Sequence, residues 1–178
     1  MTISLYDLAI DTFVQILGTL NHLLDKATEH AADRKFEVSA LVDARLTPDM
    51  FPFSTQVYLA CFHAKDGPAR LMGQEPAPLE QVRETFDQLR ARVQATVAHL
   101  KAIPRSAFDG AEQRAITIAV NPERVFEMTG FQLLRDWTLP HFYFHVVTAY
   151  DILRDAGVEI GKRDYVPHVG RYLRQPKA

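Results

Sequence analysis

Cysteine is nearly missing from this chain. Cys61 stands alone among 178 residues, which excludes an intramolecular disulfide framework and fits a reducing compartment. An excess of one charge is missing too. Twenty Lys and Arg face 22 Asp and Glu, for a formal net charge of −2, and that balance gives no support to a nucleic-acid partner or an anionic membrane surface. No apolar run approaches the ~20 residues that a membrane span needs. The opening MTISLYDLAID lacks a basic region followed by an apolar stretch, so no signal peptide is expected and the chain reads as cytoplasmic. A phosphate-cradling glycine loop, a serine nucleophile elbow and zinc-finger spacing are all absent. With no internal repeat, low-complexity segment or linker, residues 1–178 read as one domain.

Helical period is what the sequence does have. Leu5, Leu8, Phe13, Ile16, Leu17, Leu20, Leu23, Leu24 and Ala27 predict a first helix over residues 4–32. Gly18 in its interior suggests close contact with a neighbouring helix. A connection with a short turn at Val38–Asp43 follows. Val57, Ala60, Ala64 and Leu71 predict a second helix over 53–72, kinked or split at Gly67-Pro68. Val82, Phe86, Leu89, Val93, Val97 and Leu100 predict a third over 79–102, ended by Pro104. Residues 115–120 and 124–128 then alternate around Asn121-Pro122-Glu123 and read as a hairpin that must pack on the helices. The fourth helix is expected over 130–156, with Thr129 as N-cap and Gly157 just past its end. The tail from Val158 onward is expected to wrap the surface. The pattern is that of an all-α four-helix bundle with a small hairpin between helices 3 and 4.

The fourth helix carries the best clue to function. From Trp137 to Tyr150 it is apolar on nearly every side, the mark of a buried helix. Into it the sequence places His141 and His145, one turn apart on one face. Buried imidazoles must find hydrogen-bond partners or a metal. Pro140, just before them, is expected to kink or bulge the helix. Phe142, Phe144, Val146 and Val147 spread over more than one face, which suggests a homodimer.

These features together resemble the DinB/YfiT-like superfamily. The resemblance rests on the long first helix, the histidine of Cys61-Phe62-His63-Ala64-Lys65 in helix 2, and the His141/His145 pair in helix 4. Residues 44–52, 139–150 and 161–165 look like a bacterial branch designated only as a domain of unknown function. The resemblance covers nearly the whole chain. It implies a DinB-like bundle in which His63, His141 and His145 hold a divalent metal such as zinc, nickel or iron, a donor set that suits those ions. It further implies metal-dependent thiol transfer or hydrolysis on an unknown small molecule. Gln56, seven residues before His63 and near the same face, is a candidate second neighbour that orients His63 or a water. The alternative is a non-catalytic dimeric bundle, a binding or stress-related protein. Its imidazoles would be structural, bonded to Gln56, Thr138 or Tyr side chains. Cys61 points away from His63 and reads as a small core residue. Asp136 is expected to face solvent. His22, His30, His99 and His168 are assigned no role.

Overall fold

The computed structural model describes residues 4–80 and 83–174. The first helix begins with a π-helical turn, Asp7–Asp11, and continues as α1 (Thr12–Arg34). Most of its apolar stripe is used: Phe13, Leu17, Leu20, Leu23 and Leu24 are all buried, whereas Leu8 in the π-helical turn is exposed. Gly18 departs from the expectation. A Cβ built there meets nothing within 4 Å, because Gly18 faces a shallow cleft lined with Asn21, Val93 and Val97 rather than a close neighbour.

Helix α2 (Phe53–Leu71) runs unbroken through Gly67 and Pro68, so the expected split does not occur. Pro68 gives up its own bond to the Ala64 carbonyl, and the helix ends three residues later at Leu71. Helix α3 (Phe86–Ala102) starts seven residues later than the periodicity suggests. Leu79, counted on the apolar side of that helix, is exposed in a loop, and Val82 lies outside the described residues. The true start is fixed by a reciprocal cap. Gln88 N–H donates to Thr85 Oγ1 (3.3 Å) and Thr85 N–H donates to Gln88 Oε1 (2.8 Å). Upstream of this cap the chain is anchored by Glu80 N–H donating to the Tyr58 hydroxyl (2.8 Å) and by the Glu84–Arg92 ion pair.

Strands β1 (Ala115–Asn121) and β2 (Arg124–Thr129) form the expected antiparallel hairpin, with Ile116 opposite Met128 and Ile118 opposite Phe126. Ile116 and Ile118 turn into the core, so the hairpin is held by the helices rather than by its own ladder. The fourth rod then begins where Thr129 predicts. Thr129 and Gln132 form a second reciprocal cap over the short α4 (Gly130–Gln132). A π-helical segment, Leu133–Thr138, leads into α5 (Leu139–Asp155). Pro140 therefore produces a bulge, not a break: the wider turn beside it accommodates a ring that an α-helical turn would clash with. Gly157 closes α5 at φ +86, and Val158 N–H donates to the Leu153 carbonyl (3.0 Å) across it. Val158 and Ile160 re-enter the core before α6 (Lys162–Tyr165), which lies against α1.

Among these elements α2 packs most extensively on α5, and α1 on α3. Edge-to-face rings tie the layers together: Phe13 meets Phe142 at 4.9 Å, joining α1 to α5. The molecule is thus a mostly helical bundle with one small hairpin.

Candidate metal centre

The seam between α2 and the fourth rod is where the bundle places its polar side chains. Gln56, His63 and Gly67 recur at intervals of seven and four along α2, hence on one face. Thr138, His141 and His145 recur the same way on the opposing rod. At the lower end the backbones come close. A Cβ at Gly67 would lie 2.4 Å from Thr138 Cγ2, so only glycine lets Thr138 seat there. One turn above, His63 and His141 have ring centroids 5.0 Å apart and planes 28° from parallel. His63 and His145 are 5.4 Å apart at 8°. The three histidines expected to converge are therefore immediate neighbours.

Two of them have fixed tautomers. The Nδ1–H of His141 donates to the Trp137 carbonyl (2.7 Å). The Nδ1–H of His145 donates to Gln56 Oε1 (2.7 Å), and Gln56 Nε2 donates in turn to the Phe51 carbonyl (3.1 Å). Gln56 thus orients His145 rather than His63. With Nδ1 occupied, each ring keeps its lone pair on Nε2, the arrangement that metal-ligating histidines normally show. His63 differs: its Nδ1 is buried and meets no hydrogen-bond partner among the described residues, and the same holds for Thr138 Oγ1.

Burial also sets the protonation states. Burial, with the neighbouring His145 and His141 rings adding to it, pushes the His63 pKa down to about 3. Burial, with His141 adding, pushes His145 down to about 4. Near neutral pH both rings are uncharged, as ligation requires.

The fit to a metal is one of donor chemistry and spacing. Imidazoles sharing a tetrahedral zinc at ~2.0–2.1 Å hold their ring centres about 5 Å apart, the size of both separations found here. The near-parallel rings are nonetheless stacked as they stand. No set of three His, Cys, Asp or Glu donors among the described residues is already assembled around one point.

Aromatic rings surround this cluster, and the sequence reading missed their part in it. Trp137 lies 4.6 Å from His141, and Phe126 of the hairpin lies 5.2 Å from Trp137. Phe62 and Phe144 meet His63 and His145, each at 5.4 Å. The Phe126–Trp137 contact joins residues eleven apart through the return of a hairpin, so no helical period signals it. The remaining candidates fall where expected. Cys61 is fully buried, and burial pushes its thiol up to about 12, an inert core residue. Asp136 is exposed and tied to Arg135. A cleft of about 490 Å³ lies between α2 and α3, lined by Lys65, Gln88, Arg92 and His99. Its Arg92 is already held by Glu84, so it gathers no comparable chemistry.

The chain can now be set beside known proteins. The family described as Domain of unknown function (DUF1993) matches residues 5–166. No curated protein matches. The crystal structure of a DinB family member protein from Shewanella denitrificans is similar at a TM-score of 0.83 and 35% identity, over 98% of this chain and 94% of that one. Described only as of unknown function, the DUF1993 family is the one to which this chain belongs, with a DinB-like fold.

Proposed function

We propose that His63, His141 and His145 hold a divalent metal, zinc, nickel or iron, and that the chain is a metal-dependent enzyme of thiol transfer or hydrolysis. One observation carries this reading. The Nδ1 protons of His141 and His145 are both committed to oxygen acceptors, which leaves two Nε2 lone pairs free beside a third neutral imidazole. A divalent ion bound there supplies Lewis acidity, polarising an electrophile or lowering the pKa of a water or thiol. The chain's own residues do the rest. Gln56 and the Trp137 carbonyl hold two rings in one tautomer, and burial keeps His63 and His145 uncharged. Trp137 and Phe126 shield one side of the cluster from water.

The second reading is a binding bundle whose histidines are structural. It draws on the stacked geometry and on the lack of a preassembled donor set. Metal analysis of chain produced without a His tag, followed by zinc titration at pH 7.5, separates the two. About one zinc per chain, lost in His63→Ala, supports the metal reading. No uptake by the native chain leaves the structural reading standing.

Assembly as a homodimer belongs to the same proposal. Phe142 and Val146 prove to be core residues, but Tyr143 and Val147 stay exposed on the outward face of α5. A monomer mass by light scattering at micromolar concentration would remove it.

A further inference from the structure

The rings around the three imidazoles form one continuous run of contacts. It runs from Phe126 through Trp137 to His141, on to His63 and His145, and out to Phe144, with successive centroids between 4.6 and 5.4 Å apart. Its ends are open: Phe126 is 41% and Phe144 57% exposed. Exposed aromatic side chains on both flanks of a polar cluster are unusual, since water contact with them is unfavourable unless something covers them. Four charged residues near the cluster along the chain are paired with one another. Asp66, one turn after His63, is bound by Arg70, and Arg135 and Asp136, just before Trp137, bind each other. The run of rings carries hydrogen-bonding and ligating atoms at its centre.

From this geometry we infer that the site selects a substrate whose polar head reaches the imidazoles while a neutral aromatic or apolar group lies on Trp137 and Phe126. Such a group gains ring stacking and removes exposed apolar surface from water. Phe126 sits on the hairpin, whose outer face is not packed in the core, so this wall can adjust to ligands of different size.

The inference rests on the metal reading, and two small probes test it apart from that reading. Acetohydroxamic acid and benzohydroxamic acid share one metal-binding head and differ only in the aromatic group. Their dissociation constants are measured on zinc-loaded chain and compared with their ratio for zinc alone. Trp137 is the only tryptophan, so its fluorescence reports binding at the site. The benzo compound is expected to gain about tenfold over the aceto compound, as one aromatic contact provides. That advantage should shrink to within about threefold in Phe126→Ala, which keeps the tryptophan reporter. Equal affinities in the native chain overturn this inference alone. A chain that takes up no zinc, or a zinc-loaded chain that binds neither probe, overturns it together with the metal reading.

Discussion

The two main helix packings of this bundle are built from different chemistry. Between α1 and α3 the contact is aliphatic: Leu17, Leu20 and Leu24 face Leu89, Val93 and Leu100, all fully buried. Between α2 and the fourth rod it is polar. Gln56, His145 and Thr138 are buried, with His63 and His141 half-buried beside them. The first contact needs only volume and apolar area. The second holds groups whose burial is unfavourable unless each finds a partner, and His63 Nδ1 and Thr138 Oγ1 find none among the described residues. A bundle seeking stability alone would have filled this seam with leucine. Thr19 Oγ1 and Asn21 Oδ1 of α1 are buried without partners among the described residues too, and Arg90 binds Asp25 and Thr28 across α1 and α3, but the seam is where three imidazoles gather.

Substitutions that break the two packings should therefore differ in kind. Leu20→Ala should cost about 2–5 kcal/mol in urea unfolding by opening a cavity in the aliphatic contact. Zinc affinity of the folded protein should stay as it is. Gln56→Leu should cost less, about 1–3 kcal/mol, because it leaves the His145 Nδ1–H buried without an acceptor. Zinc affinity should fall about 10- to 100-fold. Equal loss of zinc affinity in both variants would erase the distinction.

Titration sharpens the contrast. His63 and His145 titrate near 3 and near 4 in the folded chain, against about 6.5 unfolded. Below pH ~6.5 the unfolded state thus binds more protons than the folded one, and protons drive unfolding. Metal-free chain should be fully stable above pH ~7 and lose up to about 1.4 kcal/mol per pH unit for each of the two rings as pH falls from ~6.5 toward ~4. Urea midpoints at several pH values check this. His145→Gln should remove about half of the slope, whereas Leu20→Ala should lower stability without changing it.

How much of this was legible in the sequence differs between the two regions as well. Thr129, Gly157, the bulge at Pro140 and the aliphatic stripe of α1 are local signals, and each lies where the sequence puts it. The start of α3 was misplaced because Leu79 and Val82 continue an apolar period. The Thr85–Gln88 cap, a local signal of a different kind, overrides it. His63, His141 and His145 were identified through family resemblance and helix faces, and they do meet. The bond of Gln56 to His145, not His63, was illegible because it depends on the vertical register of two helices. The stacking of Phe126 on Trp137 depends on how the hairpin returns to the bundle, and no one-dimensional period encodes that.

The smallest expected effect lies on the aliphatic side. Gly18 sits mid-helix with open space where a Cβ would go, so Gly18→Ala should stabilise the chain by about 0.5–1 kcal/mol through helix propensity alone. Thermal unfolding measures it, and zinc binding should not respond.

The central claim is that the polar seam exists to present imidazole nitrogens, and ¹⁵N correlation spectroscopy of the histidine rings at pH 7.5 tests it most directly. The account predicts His141 and His145 as Nδ1–H tautomers with unprotonated Nε2, the opposite of the usual preference of free histidine. It predicts that one equivalent of zinc shifts the Nε2 resonances of those two rings and perturbs His63. Nε2–H tautomers, or ring resonances that zinc leaves untouched, would contradict it.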